Sequence, residues 1–153
     1  MRDKSIAKTP GRGMEQVPVE DEEELDSLLL EIEISLGNGT LIICTVRSFA
    51  YRKIIVGILE ERFSAKIMRV DEGDQLISDL RWTDIEGVDL LVWDLPERLD
   101  QSLIDALNNF RELFYDRGIP SLVFLTPSAL DLVIREAPDF WRYRGGFLSL
   151  IHI

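Results

Sequence analysis

The run Leu90-Leu91-Val92-Trp93-Asp94, followed by Leu95-Pro96-Glu97, is the first place in this sequence where chemistry could sit. A carboxylate ending a buried strand can hold a hydrated magnesium ion. A second acid nearby and a hydroxyl at the end of the next strand can complete such a set. Asp94, Glu97 and Thr126 have the residue types and places required, with Asp94 the candidate metal ligand. The cofactor of this arrangement would be magnesium-ATP or magnesium-GTP, with an arginine such as Arg142 or Arg144 facing the phosphates. The structural reading of the same residues is plainer. An Asp ending a strand is commonly a turn or cap residue, and a hydroxyl before proline, as in Thr126-Pro127, is commonly a helix cap.

Other chemistries lack their residues. A phosphate cradle needs glycines whose backbone N–H groups close around the anion, then a lysine and a hydroxyl. No glycine stands between Thr40 and Val56, and Arg47-Ser48-Phe49-Ala50-Tyr51-Arg52-Lys53 is too bulky to serve. Arg52 and Lys53 could contact an anion but read as solvated helical charges. The single histidine, His152, lies in an apolar strand at the carboxyl end, and there is no Gly-x-Ser-x-Gly elbow for a nucleophilic serine. One His and one Cys also leave an ordinary zinc site without ligands. A phospho-receiver would use Asp94 and Thr126 as phosphoacceptor and switch hydroxyl. It would also need acidic residues after the first strand, where Val46-Arg47-Ser48 stands.

The elements that must position these residues belong to one soluble domain. At 153 residues, 46% hydrophobic and 29% charged, the chain is long enough to bury about two-thirds of its unfolded surface. A net charge of −11 makes nucleic acid and anionic membrane poor partners. Most of the excess falls in residues 20–33, which carry eight acidic and no basic groups. The lone cysteine, Cys44, and the absence of an apolar span or signal core read as cytoplasmic.

Residues 1–20, rich in Lys, Arg, Gly and Pro, read as a flexible tail ahead of a single α/β domain over 21–153. Acidic residues and Leu25, Leu28, Leu29 and Ile32 predict an extra N-terminal helix over about 22–35. Apolar, β-rich runs then predict strands at 41–46, 65–70, 88–95, 121–126 and 147–153. Between them come a helix capped by Ser48, a short one opened by Asp74, a long one through Leu103, Leu107, Phe110 and Phe114, and one over 128–137 with a Ser128/Asp131 cap, stopped by Pro138. Strands separated by helices need crossovers, which predicts a three-layer α/β fold around a mainly parallel five-stranded sheet, P-loop NTPase-like or Rossmann-like in plan.

The segment Ala137-Pro138-Asp139-Phe140-Trp141, with Arg144, Gly146 and Phe147 following and Gly118-Ile119-Pro120 and Thr126-Pro127 preceding, resembles the end of a P-loop-like domain found in bacterial multidomain signalling proteins, often ahead of tetratricopeptide repeats. That domain is similar in plan to STAND-type NTPases. The resemblance runs from about Leu25 to Ile153 and implies a Walker B role for Asp94, but the glycine-rich loop of the active relatives is missing. It thus implies a degenerate member: a non-catalytic interaction or regulatory module, part of or partner to a larger signalling assembly. Phe140 and Trp141 read first as residues closing a core and secondly as a docking patch. Phe147, Leu150 and Ile151 lie in an apolar strand expected at a sheet edge, a template for self-association or for a protein partner.

Overall fold

The structure, a computed structural model, describes residues 17–143 and 148–151. In chain order the elements are α1 (Val19–Ser35), β1 (Leu41–Val46), α2 (Phe49–Arg62), β2 (Ala65–Arg69), α3 (Gly73–Trp82), β3 (Leu90–Asp94), α4 (Gln101–Asn109), α5 (Leu113–Asp116), β4 (Ser121–Leu125), α6 (Pro127–Glu136), α7 (Pro138–Tyr143) and β5 (Leu148–Ile151). The strands form one sheet in the order β2-β3-β4-β1-β5, and every pairing is parallel. This order is neither the 3-2-1-4-5-6 of a dinucleotide-binding Rossmann fold nor the 2-1-3-4-5 of a receiver-type fold. The topology therefore speaks against the phospho-receiver reading of Asp94 and Thr126 as well, and it corrects the Rossmann-like plan.

The alternation of side chains along each strand sorts the core into two layers. Ile42, Cys44, Val46, Leu90, Val92, Leu122 and Phe124 face α1 and α2, where Leu25, Leu28, Ile32, Ile55, Ile58 and Leu59 meet them. Leu41, Ile43, Leu91, Trp93, Val123 and Leu125 face the layer made by α3 to α7. Inner strands buried on both faces explain why their sequences are continuously apolar rather than alternating.

Several predicted boundaries move. The fold begins before residue 21: Val17 is buried in the α1–α2 layer, α1 starts at Val19, and Asp21 is buried where it accepts a hydrogen bond from the Tyr51 hydroxyl at 3.3 Å. Residues 1–16 lie outside the described residues. The long helix through Phe114 is two, α4 and α5, because Phe110 leaves helical geometry as the C-cap of α4. Helix α6 is capped by Thr126, not Ser128: its Oγ1 accepts from the Ala129 N–H at 3.1 Å, and Pro127 takes the first helical position, where a missing N–H costs nothing. Pro138 ends α6 only by opening α7, whose first free N–H groups, of Asp139 and Phe140, both donate to Asn108 Oδ1 at 2.9 and 3.1 Å.

One close contact sets the approach of α3 to α4. A side chain at Gly73 would place its Cβ 2.2 Å from the Ser102 carbonyl oxygen, so only glycine allows these helices to approach. Trp93 fills the centre, its Nε1–H donating to Ser121 Oγ at 3.0 Å and its ring meeting Phe114 edge-on at 5.7 Å.

Candidate functional site

In open parallel sheets the region beyond the carboxyl ends of the strands is where ligands bind. Here β1 and β3 deliver Val46 and Asp94 to that end. Only Arg47 and Ser48 separate β1 from α2, and the Ser48 hydroxyl accepts from the Tyr51 N–H at 3.2 Å to cap the helix. A two-residue link without glycine has neither the length nor the backbone freedom to wrap a phosphate.

Asp94 does find a cation, and that cation is Arg52. Arg52 Nη1 lies 2.6 Å from Asp94 Oδ1 and donates also to the Leu95 carbonyl at 2.6 Å. Helical spacing puts Arg52 there. Tyr51, Arg52, Ile55, Ile58 and Leu59 form the buried face of α2, while Lys53, one residue round the helix, is exposed. The reading of Arg52 as a solvated charge is therefore corrected: its side chain is 2% exposed. The apolar stripe in the sequence carried the signal, since Arg52 sits three and seven residues before Ile55 and Leu59.

The environment of this guanidinium is buried and aromatic. Its Cζ lies over the Phe49 ring, 4.2 Å from the centroid, and 5.6 Å from that of Phe124. Burial pushes the Arg52 pKa down from its ordinary value, and the hydrogen bond and charge of Asp94 oppose that shift. Arginine nevertheless stays charged at neutral pH. Two of its donors, Nε and Nη2, are buried with no hydrogen-bond partner among the described residues. Leaving a buried donor unsatisfied costs about 1–3 kcal/mol, so the arrangement is held by the rest of the fold.

The other candidates separate into distinct places. Asp94 and Arg52 line a cavity of about 390 Å³ with Phe49, Lys53, Val56, Ile67 and Arg69. Glu97 is exposed and lines a different cavity with Arg98, Ser128 and Arg135. Thr126 touches Glu97 only through backbone, its Oγ1 donating to the Glu97 carbonyl at 3.2 Å while capping α6. Arg142 makes an exposed contact with Asp139 at 3.7 Å, and Arg144 lies outside the described residues. The residues do not fit magnesium-nucleotide: the Asp94 carboxylate already carries a guanidinium where a metal would sit, and the cradle is absent. Among the described residues no three His, Cys, Asp or Glu side chains cluster as metal ligands.

The aromatic pair near the end also divides. Phe140 is fully buried against Phe114, with ring centroids 5.6 Å apart, so it closes the core and cannot be a docking residue. Trp141 is half-buried and packs on the same cluster. Phe147 and His152 lie outside the described residues, while Leu150 and Ile151 occupy the edge strand β5, paired with Thr45 and Val46 of β1. No described helix is long and apolar enough to cross a membrane.

Comparison with known protein families finds no match, and no curated protein matches the chain. Among solved structures it is similar to a chain of Drosophila ORC bound to DNA, with a TM-score of 0.59, 11% identity, and coverage of 99% of this chain and 36% of that one. It is also similar to the Aeropyrum pernix ORC2 protein in its ADPNP-ADP complexes, with a TM-score of 0.50, 11% identity, and coverage of 89% of this chain and 48% of that one. The chain thus spans less than half the length of either. At this identity the likeness speaks for the fold alone, an α/β domain around a parallel sheet.

Proposed function

We propose that this chain is a non-catalytic interaction or regulatory module, a P-loop-like scaffold whose nucleotide site is closed from within, serving in or beside a larger bacterial signalling assembly. The observation that carries the reading is the Arg52–Asp94 pair. In a working site the acid at the end of β3 would be free to hold a hydrated metal; here Arg52 neutralises it at 2.6 Å. The two-residue β1–α2 link supports the same conclusion. The STAND-type and bacterial signalling parts of the proposal rest on the Ala137–Trp141 resemblance.

The partner is a protein, met through the β5 edge. Strand β5 is the last of the sheet and pairs with β1 alone among the described strands, so an added strand would pair along its other backbone edge, beside α1, which packs on β5. A net charge of −11 disfavours nucleic acid, although one structural neighbour is bound to DNA.

Titration of magnesium-ATP and magnesium-GTP, read by thermal shift, tests the closed site. A ligand at one hundred times its Kd stabilises by about 2.7 kcal/mol, so the expected outcome is no shift. A micromolar Kd abolished by Asp94→Ala would instead establish a second reading, a magnesium-nucleotide switch using Asp94, for which the fold shared with the ADPNP-ADP-bound ORC2 protein speaks.

A further inference from the structure

The cavity beside the closed site has a chemistry of its own. It lies between α2 and the edge strand β2, and its wall carries Arg52, Lys53 and Arg69 against the single acid Asp94. Three bases to one acid is a local excess of positive charge in a protein of net charge −11. Lys53 and Arg69 are exposed, and neither forms an ion pair among the described residues. The remaining lining, Phe49, Val56 and Ile67, is apolar.

Arg52 adds a specific recognition element. Its Nη1 is spent on Asp94 and the Leu95 carbonyl, which leaves Nε and Nη2 as the two buried donors without a partner. These two N–H groups point the same way on one edge of the planar guanidinium, and their spacing matches two oxygens of a carboxylate or phosphate. The pair with Asp94 holds the guanidinium in place for this, with its Cζ over the ring of Phe49, half-buried at the first turn of α2.

We propose that this cavity binds a small oxyanion carried on an apolar, planar body, an aryl carboxylate or aryl phosphate. The unpartnered Nε/Nη2 edge of Arg52 takes the oxyanion, Lys53 and Arg69 draw the charge in from the rim, and Phe49, Val56 and Ile67 receive the body. The site needs neither metal nor a phosphate loop, so it stands apart from the nucleotide reading of Asp94.

Phenyl phosphate, benzoate, inorganic phosphate and phenol, each titrated against the full chain in EDTA at low salt by calorimetry, test the assignment. Phenyl phosphate or benzoate is expected to bind, with inorganic phosphate at least tenfold weaker and phenol undetected. Arg52→Lys keeps a charge for Asp94 but removes the two-donor edge, and should lose at least tenfold in affinity. Should that variant not fold, Lys53→Ala/Arg69→Ala alters only exposed side chains; it should weaken binding by at least tenfold while the melting temperature of the free protein holds. The proposal is overturned if neither aryl anion binds at millimolar concentration, if inorganic phosphate binds as tightly as phenyl phosphate, or if the Lys53/Arg69 variant binds like the parent. Because EDTA removes magnesium, binding through an Asp94-held metal fails under these conditions and cannot be mistaken for this site.

Discussion

Arg52 Nη1 and Asp94 Oδ1 stand 2.6 Å apart although 42 residues separate them in the chain, and this contact ties α2 to the end of β3. Removing one member of a buried pair strands the other. Asp94→Ala should therefore cost about 3 kcal/mol, measured by urea unfolding. The double variant Arg52→Leu/Asp94→Leu should recover much of that loss, since no charge is then left without its partner. Equal losses in the single and double variants would show that the pair contributes nothing beyond packing.

Asp100 caps α4 by accepting from the Leu103 N–H at 2.9 Å, and that bond, with a second from Ser102, holds its pKa below the ordinary carboxylate value. A carboxylate more acidic in the folded than in the unfolded chain stabilises above its unfolded pKa, and the gain fades as pH falls through its folded pKa. Asp100→Asn keeps an acceptor and removes the titration. Its stability deficit should be present at pH 7 and vanish in strong acid, read from melts across pH. Asp100→Ala should cost about 1 kcal/mol at pH 7, the usual worth of an N-cap.

Gly73→Ala tests the α3–α4 contact. Alanine favours helix by about 1 kcal/mol over glycine, so an open position would be stabilised. The new Cβ would lie 2.2 Å from the Ser102 carbonyl oxygen, a backbone atom that cannot rotate away. Net destabilisation of about 1–3 kcal/mol is expected, in the denaturant midpoint.

Asn108→Ala removes the one acceptor shared by the Asp139 and Phe140 N–H groups. A loss of about 2 kcal/mol should follow, with Asn108→Asp largely restoring stability because it keeps the oxygen. If both variants behave alike, the contact is incidental to α7.

The β5 edge predicts association. At high micromolar concentration the chain should sediment above its monomer mass, and Leu150→Lys or Ile151→Lys, whichever projects outward, should return it to monomer without lowering its melting temperature. A parent chain that is already monomeric there would exclude the edge as a self-association surface.

Local patterns determined which segments became which elements. The apolar runs at Leu41–Val46 and Ser121–Leu125 and the 3.6-residue stripe of α2 are properties of neighbouring residues, and the structure keeps them. The missing phosphate cradle was equally legible, since a two-residue link without glycine between β1 and α2 is a local fact. Local pattern was weaker at ends and breaks: Phe110 interrupts a stripe that continues to Phe114, and Pro138 both stops α6 and starts α7. What only tertiary structure decided was pairing across distance. The order β2-β3-β4-β1-β5 depends on which strands bury each other's faces, and no single strand's sequence states it. The fate of Arg52 was decided in the same way. Its place on the apolar stripe turns it inward, but a buried guanidinium is tolerable only if a carboxylate and a carbonyl are waiting, and Asp94 and Leu95 arrive from β3 only once the sheet has formed.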